Sequence, residues 1–196
     1  MALAFRLWEI AVARPALSTS AVVDAALAVV DELGATALTL ANVASRTGVA
    51  TPSLYKHVGG LADLQKLVGV RILDEMTARF SSAAMGRSGD DAVAALMREY
   101  RAYAAEHPKR YPLAPVDPLH DPAQREAGVR LLEVMLAALR EYGLSGSAAI
   151  HATRRLRVVV HGFASIEAAG GFGLPEELDD TYEQLIDMYL ASLRRD

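Results

Sequence analysis

Three observations predict an all-α chain, with an N-terminal three-helix unit joined to a larger helical part. Between glycine and proline breaks, apolar residues recur at helical spacing, as in Val22, Ala26, Val29 and Leu33. The segments carrying that spacing are rich in Ala, Leu, Glu and Arg, which lose little freedom in a helix. Strand patterns are scarce. The one β-branched run, Val158-Val159-Val160, sits inside a longer Arg/Ala/Ile-bearing pattern that reads as a buried helix.

Composition bounds the rest. Of 196 residues, 52% are apolar and 22% charged, so a sizeable core can form and a disordered chain is excluded. The net charge of −4 excludes nucleic-acid binding through bulk positive charge, though not through a local basic face. Cysteine is absent, which removes disulfides, Cys-based zinc sites and thiol nucleophiles. The first residues, Met1–Pro15, are mildly apolar but carry Arg6, Glu9 and Arg14. Their uncharged runs are too short to span a bilayer, and the order of a signal peptide is missing. A soluble, cytoplasmic protein without a membrane segment is the expectation. The role of the N-terminal 16 residues stays open.

In chain order, Ser18 or Thr19 can cap a first helix running to about Leu33, where Gly34 can supply the left-handed residue that ends it. Thr39 can cap a second, short helix from Leu40 to about Arg46, and Gly48 then turns the chain. Thr51 can cap a third helix with Pro52 at its first position, ending near His57 before Gly59-Gly60. A fourth opens near Leu61. Further on come a helix in Ala94–Tyr111, a proline series (Pro108, Pro112, Pro115, Pro118, Pro122), and a helix over Leu131, Met135 and Leu139. The last two helices are expected at about Ser147–Ala169 and Pro175–Arg194.

Two short helices joined by a glycine turn form a helix-turn-helix candidate. Val43, Ala44, Val49 and Leu54 are the apolar residues that would hold them together. The polar side of the third helix would present Thr51, Ser53, Lys56 and His57, short hydroxyl and cationic groups suited to a major groove. Spacing alone leaves a plain three-helix bundle equally open.

The stretch from Ser20 to Val68 closely resembles the DNA-binding domain of the tetracycline-repressor (TetR) family. Ala25-Ala26, Gly34, Thr39, Val43-Ala44, Gly48-Val49 and above all Thr51–Val58 (TPSLYKHV) carry the resemblance. It implies that Thr39 caps the second helix and touches a phosphate. It also implies that Thr51, Pro52, Ser53 and Lys56 face the groove, and that Tyr55 and His57 reach backbone phosphates. The alternatives are a Tyr55 ring packed in the bundle and a merely solvated His57. Two positions depart from the family pattern. Ala41 or Asn42 stands where a basic residue is usual, and Leu61 stands where a Lys commonly opens the fourth helix. Residues 1–66 hold five basic and five acidic side chains, so DNA binding rests on few contacts and has a shallow salt dependence.

Residues 1–66 are thus expected to be an arm plus DNA-binding domain, and residues 67–196 a ligand-binding and dimerisation domain. His161-Gly162 and Glu167 followed by Gly170-Gly171 resemble the WHG type of TetR C-terminal domain, with Arg157 in place of its aromatic. The resemblance implies a homodimer made by the last two helices. Ala164, Ala168, Ala169, Leu185, Met188 and Tyr189 would form its seam unless they close the subunit's own core. Tyr100, Tyr103, Tyr111, Met135, Arg154, His161 and Phe163 are candidates for a pocket that takes a small apolar or amphipathic effector, although such stripes also serve as plain core. His161 is either a core histidine held by hydrogen bonds or a pocket residue. His151 and His161 are ten apart with no completing carboxylate, so no metal is expected. Gly170-Gly171-Phe172-Gly173 follows a helix and lacks the Lys-Ser/Thr of a phosphate loop, and no nucleophile elbow occurs. No cofactor or catalytic role is expected. The leading reading is a dimeric, effector-responsive repressor on a palindromic operator. The alternatives are a ligand-binding or interaction protein of the same fold with weakened DNA binding, and a small helical enzyme.

Overall fold

Eight α-helices and three single 3-10 turns make up residues 17–194, the part that the computed structural model describes. The stretch 1–16, with the undecided arm, lies outside it. No strand occurs among the described residues.

Helix α1 (Thr19–Leu33) starts where Ser18 Oγ accepts the Ala21 N–H at 3.1 Å, satisfying a donor that the first turn leaves open. Its buried face is Val22, Val23, Ala26, Leu27, Val29 and Val30. Leu33 departs from the predicted stripe: it is 63% exposed, because the last turn projects past the core beside Asp31 and Glu32. Those carboxylates sit at the negative end of a helix, an unfavourable place unless cations come to meet them.

Helix α2 (Leu40–Thr47) is capped by Thr39, whose Oγ1 accepts the Asn42 N–H at 3.2 Å. Gly48 takes the left-handed conformation (φ 71°, ψ 29°), and the Val49 N–H closes on the Ala44 carbonyl at 3.1 Å. Helix α3 (Thr51–Leu54) corrects two expectations. Ala50, not Thr51, is the cap residue, since its carbonyl already accepts the Ser53 N–H at 2.8 Å; Pro52 therefore holds the second position. The α-helix also stops at Leu54. Beyond it, the His57 and Val58 N–H groups both bond the Leu54 carbonyl, at 2.8 and 3.0 Å, and continue the coil as turns.

Helix α4 (Leu61–Ala84) runs unbroken through residues 66 and 67, the division expected between the two units. It packs on α1 at one end and, farther along, on α5 (Gly89–Glu106) and α6 (Arg125–Ala138). Helix α5 packs on α7 (Gly146–Ala168) and α8 (Leu178–Leu193). One apolar core runs through them all, from Val22 through Phe80 and Tyr103 to Leu193.

Between α5 and α6 the chain spends residues 107–124 in a proline-rich strap with one 3-10 turn, Tyr111–Leu113. Two helical glycines receive it. A Cβ on Gly69 of α4 would lie 2.7 Å from Gln124 Nε2 and 2.8 Å from Pro115 Cγ. One on Gly128 of α6 would lie 2.8 Å from Pro118. The strap also holds the head of the molecule. Arg110 pairs with Asp31 of α1 and, at 2.7 Å, with Glu75 of α4. Lys109 Nζ donates to the Glu32 carbonyl at 2.7 Å, and Lys66 pairs with Asp121 at 2.9 Å. Arg110 and Lys109 are cations of the kind that the end of α1 requires.

Candidate functional site

The recognition segment is anchored from below and open above. Leu54 and Val58 are buried against Val43 and Ala44, while Thr19 Oγ1 donates to the His57 carbonyl at 3.3 Å. Pro52, Tyr55 and Lys56 are exposed, and Thr51, Ser53 and His57 are half-buried. Tyr55 is 59% exposed, so its ring is not packed in the bundle. Thr39 is half-buried, engaged in its cap. Six of the seven predicted DNA-facing residues thus lie within residues 51–57, and the seventh, Thr39, sits at the start of α2.

Most cations near this surface are already neutralised. Arg46 grips Glu32 with two hydrogen bonds of 2.6 and 2.7 Å, and that bond holds the Glu32 carboxyl below the usual carboxylate range. Arg71 pairs with Asp24 and donates to Ser20 Oγ, and Lys66 is engaged by Asp121. Lys56 has no ion-pair partner among the described residues. Leu61, at the start of α4, is 36% exposed with Gly60 as a cap that offers no side chain.

The seven residues expected to line a pocket divide into separate groups. Tyr100, Tyr111 and His161 meet: the Tyr111 hydroxyl lies 2.6 Å from His161 Nδ1 and 3.4 Å from the Tyr100 hydroxyl. Burial pushes both phenols up. Tyr103 faces the other way, donating to Glu75 Oε2 at 2.9 Å, with desolvation and that carboxylate raising its phenol. Phe163 stacks with Phe172 and Tyr182 at centroid distances of 4.8 and 4.9 Å, under the Arg101 guanidinium. Met135 is plain core, and Arg154 is exposed.

The residue that joins the tyrosine–histidine group is Arg157. Its Nη2 donates to the Val116 carbonyl at 2.7 Å, and its charge bears on both phenols. Its place one turn before His161 was the available signal. Lys109 and Arg110 carried no such signal, because their partners on α1 lie more than seventy residues away.

Surface cavities lie elsewhere among the described residues. One of about 310 Å³ lies beside Arg98, Arg101 and Tyr182, and one of about 430 Å³ lies among Met85, Arg87, Val134 and Arg140. None of the seven residues lines either. Among the described residues no cluster of His, Asp or Glu could hold a metal, and no helix is long and apolar enough to cross a membrane.

The outer faces of α7 and α8 expose Ile150, Val158, Ile166 and Met188. Of the expected seam, Ala168, Ala169 and Met188 are exposed and Leu185 half-buried. Ala164 and Tyr189 belong instead to the subunit's own core, with the Tyr189 hydroxyl donating to the Ala152 carbonyl at 3.0 Å.

Comparison with known proteins gives a consistent result. Residues 93–189 match the family described as tetracyclin repressor-like, C-terminal domain. The HTH-type transcriptional regulator Rv0681 of Mycobacterium tuberculosis is 37% identical over 166 residues, 81% of this chain and 74% of that protein. The HTH-type transcriptional regulator YobS of Bacillus subtilis is 30% identical over 92% of this chain and 94% of its own length. Among solved structures, a TetR variant from Acinetobacter baumannii in complex with minocycline superposes with a TM-score of 0.71 at 19% identity, covering 91% of this chain and 97% of that one. That last likeness concerns the fold.

Proposed function

The chain belongs to the TetR family of helix-turn-helix transcriptional regulators, and from that premise we propose that it is a cytoplasmic, homodimeric repressor released or engaged by a small molecule. The observation that carries the DNA-binding reading is the seating of Thr51–Val58: a buried Leu54–Val58 edge under an exposed polar one. Thr51, Pro52, Ser53 and Lys56 enter the major groove, while Thr39, Tyr55 and His57 meet phosphates. Paired recognition segments in successive major grooves stand ~34–36 Å apart, which calls for a pseudo-palindromic operator. The exposed apolar faces of α7 and α8 support the dimer. The division of labour follows: residues 1–66 read DNA and residues 67–196 dimerise and bind the effector. The minocycline complex of the Acinetobacter protein supports a small-molecule site in the helical part. Because effector and operator favour different arrangements, each weakens or strengthens the other by the same factor.

A salt titration against the DNA upstream of its own gene tests the reading. The expected result is preference over random duplex with a shallow salt slope. Equal affinity for both duplexes at every salt concentration overturns it. A second reading, a regulator whose DNA contact has weakened, is favoured by the neutralised Arg46, Lys66 and Arg71 and by Leu61. Under it, Leu61→Lys converts undetectable binding into measurable binding rather than tuning an existing preference.

A further inference from the structure

We propose that Arg110, with its neighbour Lys109, is a positioning residue for operator recognition: it fixes the direction of α1, and with it the half-site spacing that the paired recognition segments accept. The inference rests on the reading of a dimeric DNA-binding regulator and deepens it by naming the contact that decides which operator geometry fits.

Helix α1 packs on the first part of α4. Contact with one helix does not by itself set a tilt, because packed helices slide and turn on one another by small amounts. Ties at two places along α1 remove that freedom. Near its start, Arg71 of α4 pairs with Asp24 and donates to Ser20 Oγ at 3.0 Å. Near its end, Arg110 pairs with Asp31, and Lys109 Nζ donates to the Glu32 carbonyl at 2.7 Å. Asp24 and Asp31 are separated by about 10 Å of helix at ~1.5 Å per residue. A rod held at both places has one direction.

The second tie is firmly built. The Arg110 side chain is 13% exposed and grips Asp31 and Glu75 together, a shielded, charge-assisted contact rather than a solvated surface pair. Glu75 is steadied in turn by the Tyr103 hydroxyl at 2.9 Å. Behind Arg110 the strap is fastened at separate points. The Tyr111 hydroxyl lies 2.6 Å from His161 Nδ1, the Val116 carbonyl accepts from Arg157 at 2.7 Å, and Asp121 pairs with Lys66 at 2.9 Å. His161 and Arg157 stand on α7, one of the two helices given to the dimer. The strap therefore refers the direction of α1 to the helix against which the second subunit is placed.

That direction reaches the reading surface through rigid steps. Arg46 of α2 holds Glu32 by bonds of 2.6 and 2.7 Å, Thr19 Oγ1 donates to the His57 carbonyl, and Leu54 and Val58 share a core with Val22 and Val30. A tilt of α1 carries Thr51–Val58 with it. One base pair more or fewer between half-sites shifts the second groove by ~3.4 Å along the duplex, and a head that cannot tilt cannot follow.

The test uses the full chain, whose lack of cysteine allows spin labels at chosen places. Labels on Lys56→Cys and on Glu133→Cys, both exposed, report the distance from the recognition segment to α6. Dilution with unlabelled chain restricts the reading to one subunit. Double electron–electron resonance is expected to give one narrow distance in the unaltered background. The pair Asp31→Ala with Lys109→Gln removes both ties, leaves Arg110 on Glu75, and roughly doubles the width of the distribution. It does so without weakening α1, since a carboxylate lost from a helix C-terminus favours that helix. Arg110→Gln broadens the distance likewise, Arg110→Lys recovers part of the width, and Arg98→Gln, which breaks an exposed pair between α5 and α8, leaves it narrow. On DNA, one base pair added or removed between half-sites should weaken the unaltered chain about a hundredfold and the untied chain less than about tenfold. The proposal is overturned if the untied chain and Arg110→Gln keep the narrow distance, or if they keep the full spacing preference. A narrow distance in the untied chain beside specific DNA binding by the unaltered one sinks the Arg110 tie alone. A broadened distance with no specific DNA binding by the unaltered chain sinks the regulator reading, and with it the spacing role, but keeps Arg110 as the holder of α1.

Discussion

Gly69→Ala and Gly162→Ala add the same methyl group to the interior of two long helices, and the structure gives them opposite signs. In an unobstructed helix the change favours the fold by ~1 kcal/mol, through lost freedom in the unfolded chain. At Gly162 the added Cβ meets nothing within 4 Å, so the full gain of roughly 0.5–1 kcal/mol is expected. At Gly69 the Cβ arrives 2.7 Å from Gln124 Nε2 and 2.8 Å from Pro115 Cγ. The glutamine amide is flexible and gives up only a 3.4 Å bond to the Lys66 carbonyl. The proline ring cannot turn aside; it yields only if the strap moves. Overfilling a packed site in this way costs ~1–3 kcal/mol, which outweighs the helix gain and leaves Gly69→Ala about 1 kcal/mol less stable. For a chain of this size that is a drop of roughly 2–4 °C in Tm. Urea unfolding followed by far-UV circular dichroism, at one fixed protein concentration because assembly shifts apparent stability, reads both changes. A Gly69→Ala chain as stable as the unaltered one would refute the reasoning, for the strap would then not be seated on α4.

Other perturbations have equally definite outcomes. Thr39→Ala removes the cap of α2 and is expected to cost ~1 kcal/mol in the same urea experiment. Leu61→Lys adds a cation at the start of α4 and should steepen the salt dependence of DNA binding by roughly one unit of slope. Glu32, Asp90, Glu106, Asp121 and Glu183 are held below their ordinary values by hydrogen bonds, chiefly from arginine or lysine and at Asp90 from Tyr142. Their contribution is therefore complete above about pH 4.5 and lost as pH falls below it, and an acid titration of stability should be flat above that point. Tyr100, Tyr103, Tyr111, Tyr142 and Tyr182 are pushed the other way, mainly by burial. Stability should decline as pH rises past about 10, and ultraviolet titration should show these phenols ionising only as the chain opens.

Local chemistry made much of this fold legible. Ser18, Thr39 and Gly48 announce the boundaries of α1 and α2 because caps and left-handed turns depend on a residue and its neighbours within one turn. Thr51 misled by one position: the first hydrogen bond of α3 is set by the path of the chain after Gly48, not by the hydroxyl. Leu33 misled for a different reason, since helical spacing says which face a residue shares but not where the neighbouring helix ends. The residues expected to line a pocket were the least legible. Tyr100, Tyr103 and Tyr111 all looked alike as aromatic positions along one segment. Tyr103 turns to Glu75 on α4, whereas Tyr100 and Tyr111 turn to α7, and only the packing of four helices decides that. Arg110 was unreadable because an ion pair across seventy-nine residues leaves no periodic trace.

The carboxylates at the end of α1 bear on whether the reading head can live apart from the rest. Asp31 and Glu32 face a helix terminus that repels them; Arg46 answers the Glu32 carboxylate, and two cations come from the strap, Arg110 to Asp31 and Lys109 to the Glu32 backbone carbonyl. A fragment cut after the first helices would lose those cations, expose the face of α4 around Gly69 and Val68, and begin to fray at the turn that leads into α2. The head is therefore not a portable module. Grafting it onto another protein would require carrying along a loop that begins fifty residues beyond His57.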